Sequence, residues 1–251
     1  MIQARSVRLA AVVVLGGAVA LATTACGGPM QAGAAAVVEG QRTTDRQVQS
    51  QVEGFVSLLV DNHAAQESVF TTSARSVVAK SQVSHLVDEA VWQRAADDLG
   101  LTVGPDADAQ KRAALVTAAR QELPSRFPNF HGSDNEAVAL YDALSQNSYI
   151  VAPSGVPAYV HYKALYDSVI AGQAAKLHVP SDLTVPSTGP QLRQALVETL
   201  TKAAKEIDVK VSPRYGSYDS GSGQVVAAAT SWIRPTKEQL ADAMAQMQQA
   251  Q

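Results

Sequence analysis

The sequence predicts a mainly α-helical domain that is closed by a small β-sheet. Three observations support this fold class. Alanine, the strongest helix former, is abundant in a chain of 251 residues that is 46% hydrophobic. Apolar residues recur at helical spacing in several long segments, most clearly between residues 73 and 103. By contrast, Ile207, Val209 and Val211 alternate with polar residues, which is the period of a half-buried strand.

The first 25 residues have the character of an export signal rather than of folded structure. Arg5 and Arg8 precede an apolar run that is too short for a transmembrane helix. Cys26, the single cysteine of the chain, follows in LATTACGG. This arrangement resembles a bacterial lipoprotein signal, although Thr23 stands where leucine is usual. The resemblance implies removal of residues 1–25 and lipidation of Cys26. The alternative is an ordinary signal peptide that leaves one thiol behind.

Composition divides the rest of the chain into three parts. Residues 26–33, with the sequence CGGPMQAG, predict a flexible tether that would hold the protein close to a membrane surface. Residues 34–216 predict the folded helical domain. Residues 217–251 open with the flexible composition SYDSGSG and predict a flexible tail, in which Thr236 and Gln239 could cap a polar C-terminal helix.

A hairpin opens the predicted domain. Residues 35–38 are short and apolar, Glu39 and Gly40 suit a tight turn, and residues 41–43 return as a second strand. Thr44, with a glutamine three residues later, forms a capping box. The hairpin is therefore expected to lead directly into an amphipathic helix.

Five further helices are predicted before the closing strand. The second helix is the clearest and ends at Gly100. The third begins at Pro105 and ends before Pro124. Ser133 opens the fourth with a second capping box, a fifth follows, and the sixth covers residues 190–205. The apolar stripe of the second helix consists of Val83, Leu86, Val87, Ala90, Val91, Ala95 and Leu99.

The order of these elements resembles the SurA N-terminal-domain family of chaperones, which includes the related part of PrsA. The segments AAAVVEGQRTTDRQVQSQV and SQVSHLVDEAVWQRAADDLGLTV carry the resemblance over residues 34–105. It is loose over residues 106–206 and resumes at IDVKVSPRYGSYD. The resemblance implies that the closing strand, at Val209, pairs with the opening hairpin. The family pattern falls on Leu86, Val87, Val91, Ala95, Gly100, Leu101 and Val103.

The sequence contains no recognisable catalytic, metal-binding or cofactor motif. Its five histidines are scattered, without an HxH or HExxH pair, and no phosphate-binding or dinucleotide-binding loop occurs. The parvulin-type isomerase domain that SurA and PrsA carry is not visible, because the span after Gly216 is too short. The net charge of −3, without a basic cluster, argues against nucleic-acid binding. We therefore expect no enzyme, no metal and no cofactor.

Three tyrosines leave two interpretations open. Tyr159, Tyr162 and Tyr166 share one face of the fifth predicted helix. The simpler interpretation is core packing with the hydroxyl groups at the rim. The functional interpretation is a peptide-binding face, because tyrosine offers a large contact area with few rotamers to freeze.

The two resemblances, rather than any catalytic motif, indicate a function. The lipoprotein signal implies a lipid anchor at the extracytoplasmic face of the cell membrane, and the SurA-like domain implies binding of unfolded or secreted polypeptides without catalysis. The alternative is a dedicated scaffold for one cell-envelope partner. Neither interpretation involves nucleic acid or a small-molecule cofactor.

Overall fold

The computed structural model of the protein describes residues 32–145 and 150–228. Within these residues the chain forms six α-helices, a three-stranded antiparallel sheet and a separate two-stranded hairpin. The predicted fold class, a mainly helical protein with a small sheet made by an N-terminal hairpin and a C-terminal strand, is confirmed. The predicted signal peptide, Cys26, most of the tether and the predicted C-terminal helix lie outside the described residues.

The elements are numbered in chain order. The strands are β1 (Ala34–Val38), β2 (Gln41–Thr44), β3 (Val209–Val211), β4 (Ser217–Asp219) and β5 (Gln224–Val226). The helices are α1 (Asp45–Asp61), α2 (Thr72–Asp98), α3 (Pro105–Arg126), α4 (Asp134–Leu144), α5 (Val156–Leu177) and α6 (Gly189–Glu206). In the described part of the chain, no helix combines the length and apolar character that spanning a membrane requires.

The closing strand pairs with the opening hairpin, as predicted. Val209 lies opposite Val38, and β1 is the central strand of the order β2-β1-β3. The Ser212 amide donates to the Ala35 carbonyl at 2.9 Å and extends the pairing. The two ends of the domain therefore form one sheet, and neither short segment is left as an isolated strand.

The turn between β1 and β2 has the geometry that its sequence favours. Glu39 and Gly40 both have positive φ, at 49° and 76°, and Val38 pairs with Gln41 around this two-residue loop. Two left-handed residues match the twist of a tight hairpin, which explains why glycine is needed at the second position.

The predicted helix starts are found, whereas one predicted stop is wrong. Reciprocal capping boxes join Thr44 with Gln47 and Ser133 with Glu136. However, α3 continues past Pro124 to Arg126. Proline supplies no amide donor to the last turn of α3, and this turn tolerates the loss because residues 124–126 are exposed.

A hairpin replaces the first part of the predicted flexible tail. Within residues 217–226, β4 and β5 pair with each other, β5 contacts α2, and β4 contacts β3. The Tyr218 hydroxyl donates to the Ala204 carbonyl of α6 at 2.6 Å, and Tyr215 is buried with its hydroxyl donating to Asp45 at 2.9 Å. The folded domain therefore extends past the boundary predicted at residue 216.

The α2 helix is the centre of the fold. It packs against α1, α5 and α6, supplies buried residues to two of the three clusters of the hydrophobic core, and packs the partly buried Trp92 against the third. Val83 packs towards α1, whereas Val87 and Val91 pack towards α5 and α6. A helix in this position can bury side chains on most of its faces. A face that stays uncovered is therefore a candidate binding surface.

Candidate binding groove

Two adjoining cavities lie along one side of α2. One has a volume of about 360 Å³ and the other of about 280 Å³, and Thr43 of β2 and Leu86 of α2 line both. We call the combined feature the α2 groove. The hairpin and the start of α1 form one wall, and the start of α5 and the end of α6 contribute to the rest. Its floor on α2 is formed by Gln82, His85, Leu86, Glu89, Ala90, Gln93 and Asp97.

The groove exists because strand β2 has polar residues at positions that face the core. Paired residues share a face of a sheet, and Gln41 and Thr43 lie opposite Val38 and Ala36. The core-facing positions of β1 and β3 are apolar, so those strands pack tightly onto the helices. Gln41 and Thr43 instead line the cavity above α2. The edge strand β2 therefore lies above α2 but does not pack against it, and a cavity remains between them.

Leu86 is the main apolar residue on the floor. It is half-buried, and none of the three core clusters found among the described residues includes it. Its neighbours on the predicted apolar stripe, Val83 and Val87, are fully buried. The apolar stripe therefore predicts Leu86 in the core, whereas the structure places it in the groove.

The first cavity has an acidic lining. Four carboxylates, those of Glu39, Glu89, Asp97 and Glu206, line it together with one guanidinium, that of Arg94, which gives a net formal charge of −3. Arg94 is already engaged, because it forms salt bridges with Asp98 and Glu206. The pKa of the exposed Arg94 is raised by these partners, with the hydrogen bond to Glu206 as the largest cause.

Glu89 is the most buried of the four carboxylates in this lining. It also lacks a cationic hydrogen-bond partner among the described residues. In the described part of the chain, it forms no hydrogen bond or salt bridge. Burial raises the pKa of Glu89 above its usual range, and the nearby His161 opposes this shift. The imidazole of His161 itself is held by Asp108, with Nδ1 3.0 Å from one carboxylate oxygen, and lies 3.4 Å from the side-chain oxygen of Gln93.

The second cavity carries amides instead of charges. Gln47, Gln51 and Gln82 line it, and Gln51 accepts a hydrogen bond from the Ser154 hydroxyl at 3.3 Å. His85, a residue that is 8% exposed, contributes to its floor, and burial lowers the pKa of its imidazole to about 4. At neutral pH this end of the groove is therefore uncharged but rich in hydrogen-bonding groups.

The three tyrosines do not form an exposed peptide-binding face. Tyr159 and Tyr162 are buried, and the Tyr159 hydroxyl donates to Asp142 at 2.5 Å. Burial, together with the Asp142 carboxylate, raises the pKa of Tyr159 far above its usual range. Tyr166 is half-buried against Trp92, with ring centroids 4.8 Å apart. None of the three lines the α2 groove. Core packing is therefore the interpretation that the geometry bears out, except that the Tyr159 hydroxyl is buried against Asp142 and does not lie at the rim.

The described residues contain no group of three or more histidine, cysteine, aspartate or glutamate side chains arranged to hold a metal ion. The close histidine–carboxylate contact between His161 and Asp108 is a two-residue pair, and neither residue lines the groove. The α2 groove, with an apolar centre, one acidic end and one amide-rich end, is the candidate site for a ligand.

One signal for this groove was present in the sequence. Gln41 and Thr43 occupy every second position of β2, and their polarity breaks the pattern that would cover α2. Comparison with known proteins adds no further guide, since no protein-family model, no curated protein and no solved structure matches this chain.

Proposed function

We propose that this protein is a lipid-anchored binder of unfolded or secreted polypeptides at the extracytoplasmic face of the cell membrane, and that it acts without catalysis. The observation that carries the proposal is the α2 groove, in which Leu86 is half-buried on the floor and belongs to no core cluster of the described residues. The resemblance to the SurA N-terminal-domain family supports the same function.

The groove has chemistry that suits a peptide ligand. Leu86 and Ala90 offer apolar surface, and the side-chain amides of Gln41, Gln47 and Gln51 lie around it. The Gln47 oxygen accepts from Thr44 and the Gln51 oxygen from Ser154, so these two side chains offer mainly their NH₂ groups to the carbonyl groups of a peptide backbone. Covering one leucine-sized side chain stabilises a complex by about 2 kcal/mol. One or two such anchors give weak binding, which suits rapid exchange among many clients.

A binding assay with one pair of variants tests this function. The purified chain should suppress the aggregation of chemically unrelated unfolded proteins, and Leu86→Asp should remove most of this activity. Val77→Asp is the matched control, because Val77 is 59% exposed on the same helix and lies nine residues away, on the opposite side. Equal activity of the two variants would exclude the groove as the binding site. Capture of one envelope protein without aggregation suppression would favour the scaffold alternative.

The proposed anchor requires its own test. The sequence LATTACGG motivates lipidation of Cys26, and two or more acyl chains are needed for stable attachment, since each buried CH₂ is worth about 0.8 kcal/mol. Cys26→Ser should move the protein from the membrane fraction to the soluble fraction. Mass spectrometry that shows an unmodified cysteine in the mature protein would contradict this proposal.

The absence of catalysis is also a proposal. In a proline-limited refolding assay, the chain should give no acceleration beyond that of a passive binder. A clear catalytic enhancement would show that an isomerase site exists.

A further inference from the structure

We propose that the acidic end of the α2 groove selects cationic clients: it binds segments in which a lysine or arginine side chain lies next to an apolar residue. This inference rests on the proposed function and deepens it by naming the class of polypeptide. It is carried by the position of Glu89 beside Leu86 and by the charge of the cavity that both residues line.

The local cations are committed to other partners. Arg94 pairs with Asp98 at 3.2 Å and with Glu206, and Lys202 pairs with Asp98 at 2.8 Å. The charge of Glu206 is therefore largely neutralised by Arg94 and Lys202. Glu39 accepts from the Asp208 amide, which carries no charge.

The unmatched charge that remains is therefore negative. Glu39, Glu89 and Asp97 line the cavity without a salt bridge among the described residues, although Asp97 accepts a hydrogen bond from the neutral Gln93 amide at 2.9 Å. A bound cation would complement this end of the groove, whereas a bound carboxylate would be repelled.

The spacing of Leu86 and Glu89 joins an apolar contact to a charged one. Residues three apart on a helix are neighbours, with about 5–6 Å between their Cβ atoms. A client side chain that packs on Leu86 therefore places an adjacent residue within reach of the Glu89 carboxylate. Because the Glu89 carboxylate is partly buried, it is less well hydrated than an exposed one. A charge-assisted hydrogen bond from a lysine or arginine would replace the interactions with water that burial has removed.

The length of the groove sets the size of the client segment. The floor extends from Gln82 to Asp97, which corresponds to about 22 Å along a helix. An extended peptide of about six or seven residues covers this distance. Its cationic residue would lie towards the acidic cavity, and the remaining residues would contact the uncharged amides around Gln47 and Gln51.

Three labelled seven-residue peptides test the inference by fluorescence anisotropy with the purified full-length chain. The first has a central lysine flanked by leucines, and the other two replace this lysine with glutamine or glutamate. We expect the lysine peptide to bind roughly tenfold more tightly than the glutamine peptide, as befits a hydrogen bond to a charged group. The glutamate peptide should bind most weakly, and raising the salt concentration should reduce the preference.

A pair of variants assigns the preference to one residue. Glu89→Gln should remove most of the discrimination between lysine and glutamine peptides, whereas Glu122→Gln should retain it. Glu122 is an exposed glutamate on α3 that does not line the groove. Circular dichroism of both variants verifies that they fold.

The possible outcomes separate this inference from the proposed function. Equal binding of all three peptides would overturn the inference while leaving polypeptide binding intact. No binding of any peptide would overturn the proposed function and the inference together. A lysine preference that survives in Glu89→Gln would overturn the role assigned to Glu89. A preference lost in Glu89→Gln and kept in Glu122→Gln would support the inference.

Discussion

The two long sides of α2 differ in what covers them. The covered side carries Val83, Val87 and Val91, each with 4% of its surface or less exposed, because α1, α5 and α6 pack over it. The open side carries Leu86 and Glu89, which are half-buried and line the α2 groove. Leu86 and Val87 are adjacent in the sequence, yet they point about 100° apart around the helix.

This difference teaches that one helix can supply both the centre of the core and the floor of a binding site. The covered side contributes stability, because its apolar side chains are removed from water by several neighbouring elements. The open side contributes little to stability, and its residues remain available to a ligand. Substitutions on the two sides should therefore have separable effects.

The largest expected effect is on the covered side. Val87→Asp places an unpaired charge in the core and should lower the free energy of unfolding by about 4 kcal/mol or more. Leu86→Asp, one residue earlier, should cost less than about 1 kcal/mol because its site is partly solvated. Urea unfolding followed by circular dichroism measures both. Similar losses in the two variants would mean that the open side is part of the core after all.

The next effect concerns His85, which is buried at the floor of the groove. Its folded-state pKa of about 4 is below the usual value of 6.5, so protonation favours the unfolded chain. Its contribution to stability is complete above pH 6.5 and falls as the pH approaches 4, by up to about 3 kcal/mol. We expect His85→Gln to flatten the pH dependence of the unfolding free energy in this window. The control His131→Gln, at an exposed position, should keep the pH dependence of the wild type. If the unfolding free energy depends on pH in the same way in the wild type and both variants, His85 is not the group responsible.

A smaller effect is expected at the closing strand, which helps to cover α2. Val209 packs against the core cluster that contains Val87, so Val209→Asp should destabilise the domain by about 2 kcal/mol. Lys210 lies on the opposite face of the strand, and Lys210→Asp should cost less than about 0.5 kcal/mol. Thermal melts compare the two. If Lys210→Asp is the more damaging, the strand has the wrong face towards the core.

The smallest effect tests the segment after the sheet. Tyr215→Phe removes the hydroxyl that donates to Asp45 and should cost about 1 kcal/mol, since Asp45 can accept from water instead. Urea unfolding detects this loss, with the half-exposed Tyr141→Phe as the control. No change would indicate that this hydrogen bond contributes little to holding the segment after β3 against α1.

Local signals explain why much of the fold could be predicted. Thr44 and Ser133 begin helices through contacts with residues only three positions away. Glu39 and Gly40 form a hairpin turn for an equally local reason. The pairing of Val209 with Val38 is a long-range contact, but two short apolar strands at the ends of one helical domain have few other partners that would satisfy both.

The remaining features depend on contacts that no local pattern contains. Tyr159 is buried in an apolar cluster, where Asp142 of another helix accepts a hydrogen bond from its hydroxyl. Tyr218 donates a hydrogen bond to a carbonyl of α6 and so joins the hairpin, which has a flexible composition, to the helical core. Such partners lie on separate elements, and periodicity within one element cannot identify them.

By itself, the sequence determined the mainly helical fold, the capped helix starts and the closing of the domain by a strand near Val209. Only the tertiary structure decided which residues of α2 are core and which face a ligand. The physical reason is that helical periodicity fixes the direction of a side chain relative to its own axis. Its exposure depends on what packs above it, and above Leu86 the polar residues Gln41 and Thr43 leave the α2 groove open.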